Sequence, residues 1–65
     1  MEVNDYKIEP YANLNHAYLP NADLTFANLY GADLSGVNIS SAILSRANLY
    51  YTNLESANLS EANLD

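Results

Sequence analysis

Few side chains in this sequence are of types that do chemistry, and their spacing does not bring them together. His16 is the only imidazole, and no Cys, His or carboxylate stands at ligand spacing from it. The chain has no Cys, which excludes thiolate nucleophiles and disulfides. It also has no Gly-rich phosphate loop, no paired catalytic carboxylates and no nucleophile–base pair. We therefore predict that the protein is not an enzyme and that it uses no metal and no cofactor.

The charge balance excludes two classes of partner. The 65 residues include 2 Lys or Arg against 8 carboxylates, for a net charge of −6. Binding to the phosphates of DNA or RNA requires clustered Lys and Arg, and so does adhesion to anionic membranes. No apolar run reaches the length of a membrane span, and the first residues lack the pattern of a signal peptide. We expect a cytoplasmic protein that binds neither nucleic acid directly nor a membrane.

The elements that position the side chains follow from a repeat of five residues. Leu stands at every fifth position from Leu14 to Leu64, with Ile39 in the one gap, which gives 11 consecutive units. Ala stands two residues earlier in nine of the 11 units, the exceptions being Val37 and Thr52. A period of five forms one stripe on neither an α-helix nor a flat strand. It fits a chain that turns a corner once per unit, with Leu and Ala inside and four units in a coil of about 20 residues.

Asn or Asp stands immediately before the Leu or Ile position in nine of the 11 units, with Tyr18 and Ile43 as the exceptions. A short polar side chain that bonds to nearby backbone suits a tight corner. Stacked members such as Asn13 and Asp33 could also bond between coils. A metal site is disfavoured because Asp23 and Asp33 belong to different sides of the coil. We predict a structural role for this column.

Several units carry a resemblance to a known family. Ala22–Phe26, Ala27–Gly31 and Ala57–Glu61 resemble pentapeptide repeats of the A(D/N)LXX type, and the resemblance covers Tyr11 to Asp65. It implies an all-β fold, a right-handed quadrilateral parallel β-helix, and 11 units make under three coils. The handedness is implied by the family alone.

The first ten residues depart from the repeat. Continuing the phase backward would point Lys7 and Glu9 into the apolar interior, which disfavours charged groups. We therefore predict an N-terminal capping segment, 1–10, and a pentapeptide-repeat β-helix, 11–65. The residues expected to cover the open end of the first coil are Val3, Tyr6 and Ile8.

No cap follows the last unit in this sequence. An uncapped coil exposes Leu59 and Leu64 together with unpaired backbone groups. Either this end meets another chain, or the sequence is a piece of a longer array. Fewer than three coils is close to the lower limit for a repeat stack. We predict self-association through the C-terminal coil, at Leu59 and Leu64.

Residues 20 apart lie above one another in such a stack, which gathers aromatic side chains on one side and its edge. Tyr30 is expected next to Tyr50, and Phe26 next to Arg46 at a distance suited to a cation–π contact. The predicted set, called the aromatic patch below, consists of Phe26, Tyr30, Ile43, Arg46, Tyr50 and Tyr51. Its composition is that of a protein interface, and the alternative is that these pairs only stabilise neighbouring coils.

The function predicted from these features is a non-catalytic protein-interaction or scaffold module, with a protein partner or a second copy as its ligand. The resemblance implies an alternative, because some pentapeptide-repeat proteins mimic duplex DNA and modulate DNA gyrase or topoisomerase. The acidic charge fits that alternative, but the length does not. Under three coils make a rod of about 13 Å, which corresponds to about four base pairs.

Overall fold

The first element is a hairpin. The computed structural model describes residues 1–65, and strands β1 (Glu2–Val3) and β2 (Tyr6–Lys7) pair antiparallel, Val3 opposite Tyr6. The turn residues Asn4 and Asp5 have positive φ values of 51° and 69°. Two consecutive positive φ values define the type I′ turn, whose twist matches that of the flanking strands, and Asn and Asp tolerate it.

The rest of the chain is a stack of single-residue parallel β-bridges between residues 20 apart. The pairs are Asn13–Asp33, Tyr18–Asn38, Asp23–Ile43, Asn28–Asn48, Asp33–Asn53, Asn38–Asn58 and Ile43–Asn63. Each bridge has two hydrogen bonds, as from the Leu14 N–H to the Asp33 carbonyl at 2.8 Å and from the Asp33 N–H to the Ala12 carbonyl at 2.9 Å. The chain is thus a solenoid of the β-helix type. Residues 11–30, 31–50 and 51–65 are called the first, second and third layers below.

Tight turns separate successive bridge positions. In each corner the N–H at the Ala position donates to the carbonyl at the Leu position three residues earlier, as from Ala17 to Leu14 at 3.0 Å. The third residue of each turn, which directly precedes the Ala position, has a positive φ. Its value lies between 58° and 69° at all corners from Tyr11 to Glu61. Positive φ at this place is typical of a type II turn. The chain contains no helix that could cross a membrane.

The interior is filled by the Leu and Ala positions, as predicted. These positions are buried from Ala12 to Leu44, and Leu19, Leu24 and Leu29 have no exposed surface. The interior is one column of apolar side chains and contains no buried charged or polar residue. A stack of this kind buries its apolar surface only when layers lie on both sides.

The two ends of the interior differ. At the N-terminal end Ile8 is buried, and Val3 and Tyr6 are partly buried against the interior. At the other end Leu49, Leu54 and Leu59 are only half-buried, and Leu64 is 58% exposed. The apolar interior is therefore closed on the hairpin side and open on the other.

Candidate functional site

The Asn/Asp column has the backbone-bonding role that the sequence predicts. At nine units the side-chain Oδ1 accepts the N–H of the residue two positions later, as at Asp33 and Ser35, 3.0 Å apart. This contact closes the start of each corner. No side chain of the column bonds to another member in the next layer. The one hydrogen bond between side chains of different layers lies outside the column and joins Asn15 Nδ2 to Ser35 Oγ at 2.5 Å.

Two units lack this contact, and each has a different local reason. Tyr18 is followed two residues later by Pro20, which has no N–H to donate. Ile43 is followed by Ser45, whose N–H therefore has no such side-chain acceptor. Because Ile43 stands in the outward position that Asn or Asp occupies in most units, its apolar side chain is 40% exposed.

Two carboxylates of the column have altered acidity. The hydroxyl and N–H of Thr25 donate to Asp23, at 2.6 and 3.1 Å, and lower the pKa of Asp23 below 3.8. The hydroxyl and N–H of Ser35 lower the pKa of Asp33 in the same way. Hydrogen bonds to the ionised form favour it, so both groups are anions at neutral pH.

The predicted contact between Phe26 and Arg46 is present. The guanidinium carbon of Arg46 lies 5.9 Å from the centre of the Phe26 ring, within the range of a cation–π interaction. Both residues occupy the same corner in successive layers, and both have positive φ, 62° and 61°. The Phe26 side chain is 70% exposed, so the pair stands on the surface.

The tyrosines at the next corner are arranged differently from the prediction. The Tyr30 ring does not pair with Tyr50; it makes edge-to-face contacts with Tyr51, at 5.5 Å between centres, and with Tyr11, at 5.8 Å. Tyr50 contacts Tyr51 at 6.1 Å. The reason is that Tyr11 and Tyr51 lie at the corner itself, where their rings flank that of Tyr30. These four residues are called the tyrosine cluster.

Tyr11 therefore belongs to the site although it lies outside the predicted aromatic patch. Its Cε1 atom lies 2.6 Å from the point where a Cβ of Gly31 would stand, so the ring lies across this glycine. The spacing of 20 between Tyr11 and Gly31 is the sequence signal for this packing. His16, an exposed corner residue, covers Gly36 in the same manner.

The aromatic patch consists of three separate parts. Phe26 and Arg46 lie at one corner, and the tyrosines at the next, with Asn28 and Asn48 between them. Ile43 lies on the side that precedes the Phe26 corner and takes part in the bridge with Asp23. Tyr50 and Tyr51 are 74% and 81% exposed. The surface contains no pocket and no group of three metal-ligating side chains.

The open end, defined as the outer edge of residues 46–65, carries backbone groups without partners in the chain. The carbonyl oxygens of this kind include those of Ala47, Thr52, Ala57 and Ala62, each of which precedes an Asn. The N–H groups of this kind include those of Leu49, Leu54, Leu59 and Leu64, each of which follows an Asn. The backbone of each Asn that lies between such a pair bonds only to the layer beneath. Leu59 and Leu64, the predicted association residues, both lie on this edge.

The family model described as pentapeptide repeats matches the chain at residues 11–46 and 42–65, in eight copies. These ranges include the tyrosine cluster, the Phe26–Arg46 pair and the open end. No curated protein matches the chain.

Proposed function

Since the chain belongs to the pentapeptide-repeat family, we propose that it is a non-catalytic protein-interaction module that acts through the aromatic patch. The solenoid is the scaffold, and the function depends on side chains that point away from it. The site has no pocket for a small substrate, which favours a flat protein surface as the ligand. We propose that the protein acts in the cytoplasm.

The proposal includes the finer architecture. The β-helix is right-handed and quadrilateral, with four bridge positions per 20 residues and under three coils, as the family implies. Residues 1–10 are the cap of the 11–65 β-helix. The burial of Ile8 against the interior, at 4% exposure, supports this role for the hairpin.

The observation that carries the proposal is the exposure of large aromatic side chains at strained corners. Tyr11, Phe26 and Tyr51 have φ values of 64°, 62° and 60° and are each at least 70% exposed. The left-handed region costs about 1–2 kcal/mol for an L-residue other than Gly, Asn or Asp. Exposed rings gain little burial to offset that cost. Because every corner has positive φ, the backbone does not distinguish these positions; the exposed rings do. Exposed Tyr residues are frequent in interfaces.

The test compares a patch variant with a matched control. Tyr30→Ala/Tyr50→Ala should abolish the capture of a protein partner from native lysate, whereas Tyr18→Ala should leave capture unchanged. Tyr18 is a suitable control because it is 67% exposed and contacts none of the tyrosine cluster rings. Equal capture by the patch variant and the natural chain would mean that these rings only stabilise neighbouring layers.

The second part of the proposal is self-association through the open end. An antiparallel bridge uses the carbonyl before one residue and the N–H after it on each strand. The open end has free groups in that arrangement around Asn48, Asn53, Asn58 and Asn63. A second copy turned about a two-fold axis carries the same set, so the two edges are complementary.

The hairpin favours this closed dimer over a filament. Head-to-tail stacking would bring the open end of one copy against the hairpin end of the next, where Val3, Tyr6 and Ile8 already occupy the interior. A two-fold contact uses only open ends and stops at two copies. It would cover Leu64, which is 58% exposed, and Leu59, which is half-buried.

Sedimentation equilibrium over a range of protein concentrations measures this association. We expect a monomer–dimer equilibrium that Leu64→Glu weakens, because the added charge would be buried in the contact. Ser60→Glu adds the same charge at an outward position and should leave the equilibrium unchanged. A strict monomer at high concentration would contradict self-association.

The net charge of −6 favours a second candidate function, a DNA mimic that modulates gyrase or topoisomerase. The short stack opposes it, because a dimer of such units still spans fewer than about ten base pairs. A supercoiling assay with a large molar excess of the protein decides the question. Inhibition or protection of gyrase would support mimicry, and unchanged supercoiling would remove it.

A further inference from the structure

The tyrosine cluster presents aromatic rings in several orientations around one corner. The Tyr30 ring is nearly perpendicular to both neighbours, at 80° to Tyr11 and 75° to Tyr51. The Tyr50 ring is tilted by 48° to Tyr51. Rings in such orientations present faces in several directions around one corner. The face of an aromatic ring is the negative part of its quadrupole and attracts cations.

The net charge of the whole molecule also favours the binding of cations. Eight carboxylates oppose two cationic side chains. Asp23 and Asp33, whose pKa values are lowered, remain ionised even in mildly acidic solution. The potential around a small domain of net charge −6 attracts cations and repels anions over about a Debye length.

We propose that the tyrosine cluster binds the guanidinium and ammonium groups of Arg and Lys side chains on a basic protein partner. This inference rests on the proposed interaction function and names the chemistry of the partner at the same site. The rings supply local cation–π contacts, and the carboxylates of the molecule supply long-range attraction.

The neighbouring corner contains an intramolecular example of this recognition. There the guanidinium of Arg46 lies 5.9 Å from the centre of the exposed Phe26 ring. At the tyrosine corner the corresponding position in the second layer is Gly31, which supplies no side chain, and the rings of Tyr30 and Tyr51 contact each other. A guanidinium from another protein would find there the type of partner that Arg46 finds within the chain.

An acidic or neutral partner fits the cluster less well. An acidic surface would be repelled by the net charge of −6. A purely apolar surface would cover the phenol hydroxyls of four tyrosines without providing hydrogen-bond partners, which costs free energy. A basic surface with long, flexible side chains avoids both costs, because Arg donates to phenol oxygens and also stacks on rings.

The experiment titrates the full chain with a short Arg-rich peptide and follows the Tyr ring protons by NMR. A peptide of the same sequence with citrulline in place of Arg is the control, since citrulline keeps the shape and removes the charge. We expect shifts of the Tyr11, Tyr30, Tyr50 and Tyr51 ring protons with the Arg peptide and none of comparable size with the citrulline peptide. Equal binding of the two peptides would overturn the inference.

Variants separate ring recognition from general attraction to an acidic protein. Tyr51→Leu should lower the affinity for the Arg peptide about twofold to fivefold, which is the effect of losing one exposed cation–π contact. Tyr18→Leu, an exposed tyrosine away from the cluster, should not. Tyr50→Leu provides a second cluster variant if Tyr51→Leu does not fold by circular dichroism. Equal affinities of the Tyr51 and Tyr18 variants would leave only bulk electrostatics and would refute the proposed site.

The two proposals fail in different ways. If the Tyr30→Ala/Tyr50→Ala variant loses a captured partner but the Arg peptide does not bind, the interaction function stands and the cationic partner is wrong. If the Arg peptide binds at the rings but no partner depends on them, the chemistry of the site is right and the interaction function is wrong.

Discussion

At the residue scale, the corner position of each unit determines its backbone strain and the side chain that it displays on the surface. Its backbone has positive φ at every unit, yet Gly occupies it only at Gly31 and Gly36. Both glycines lie beneath a ring from the layer before, Tyr11 over Gly31 and His16 over Gly36. Gly is required there for two reasons, the left-handed backbone and the space taken by the ring.

Gly31→Ala should lower the free energy of unfolding by about 1–2 kcal/mol, because alanine is strained in the left-handed region. The new Cβ would also displace Tyr11, whose Cε1 atom lies 2.6 Å from its place. Gly36→Ala is the matched variant, with the same strain and His16 as the displaced ring. Urea unfolding should give similar losses, whereas near-ultraviolet circular dichroism from the tyrosines should change only in Gly31→Ala. Equal spectra would mean that Tyr11 does not hold the cluster in place.

Acid should weaken the fold through Asp23 and Asp33. A carboxyl whose pKa is lower in the folded chain stabilises it above the unfolded value of 3.8, and this contribution is lost as the pH falls through the lowered pKa. Asp23→Asn/Asp33→Asn keeps an oxygen acceptor at both corners and removes both titrations. We expect the melting temperature of the natural chain to fall more steeply than that of the variant as the pH is lowered below about 4, the ordinary pKa of an Asp side chain. Parallel curves would exclude these two groups as the cause.

At the element scale, the five-residue unit is both strand and corner, and this makes the fold readable from the sequence. The phase of Leu and Ala predicts the buried column, and the Asn/Asp phase predicts the side-chain acceptors at nine corners. The contacts among Tyr11, Tyr30 and Tyr51 are not readable in that way. Column arithmetic places Cα atoms above one another, but ring orientation depends on side-chain torsions and on the empty space at Gly31.

The hairpin cannot be predicted from the repeat pattern either, since residues 1–10 contain no repeat unit. The dipeptide Asn4-Asp5 between Val3 and Tyr6 is its local signal, because both residues tolerate positive φ. The repeat phase excludes Lys7 and Glu9 from the interior, which is correct, but it does not specify what replaces them.

Ile8→Ala tests the contribution of the hairpin to the stack. The side chain is 4% exposed, and truncating a buried Ile to Ala costs about 2–5 kcal/mol. Lys7→Ala, at an exposed neighbouring position, should cost little. Thermal unfolding of both variants measures the difference. Equal melting temperatures would show that the hairpin does not close the interior in solution.

At the scale of the whole molecule, stability should decrease from the hairpin to the open end, because each layer contacts only its neighbours. Leu29 and Leu49 make a matched pair. The Leu29 N–H donates to the Asn48 carbonyl at 2.9 Å, whereas the Leu49 N–H has no acceptor in the chain. In a dilute sample, amide hydrogen exchange should be slow at Leu29 and fast at Leu49.

The same measurement at high concentration bears on self-association. A dimer through the open end would give the Leu49 N–H an acceptor and would slow its exchange, while Leu29 would change little. Concentration-independent exchange at Leu49 would argue that any association uses another surface.

The regular spacing of the bridges has a kinetic consequence. Each backbone hydrogen bond between layers joins groups 19 or 21 residues apart, as from Leu14 to Asp33 and from Asp33 to Ala12. The entropy of closing a loop depends on its length, so every layer must overcome nearly the same barrier before its contacts form. No local nucleus favours one layer over another except the hairpin, whose turn closes over only two residues. Folding should therefore begin at residues 1–10 and add layers in sequence order, which is also the order of synthesis on the ribosome.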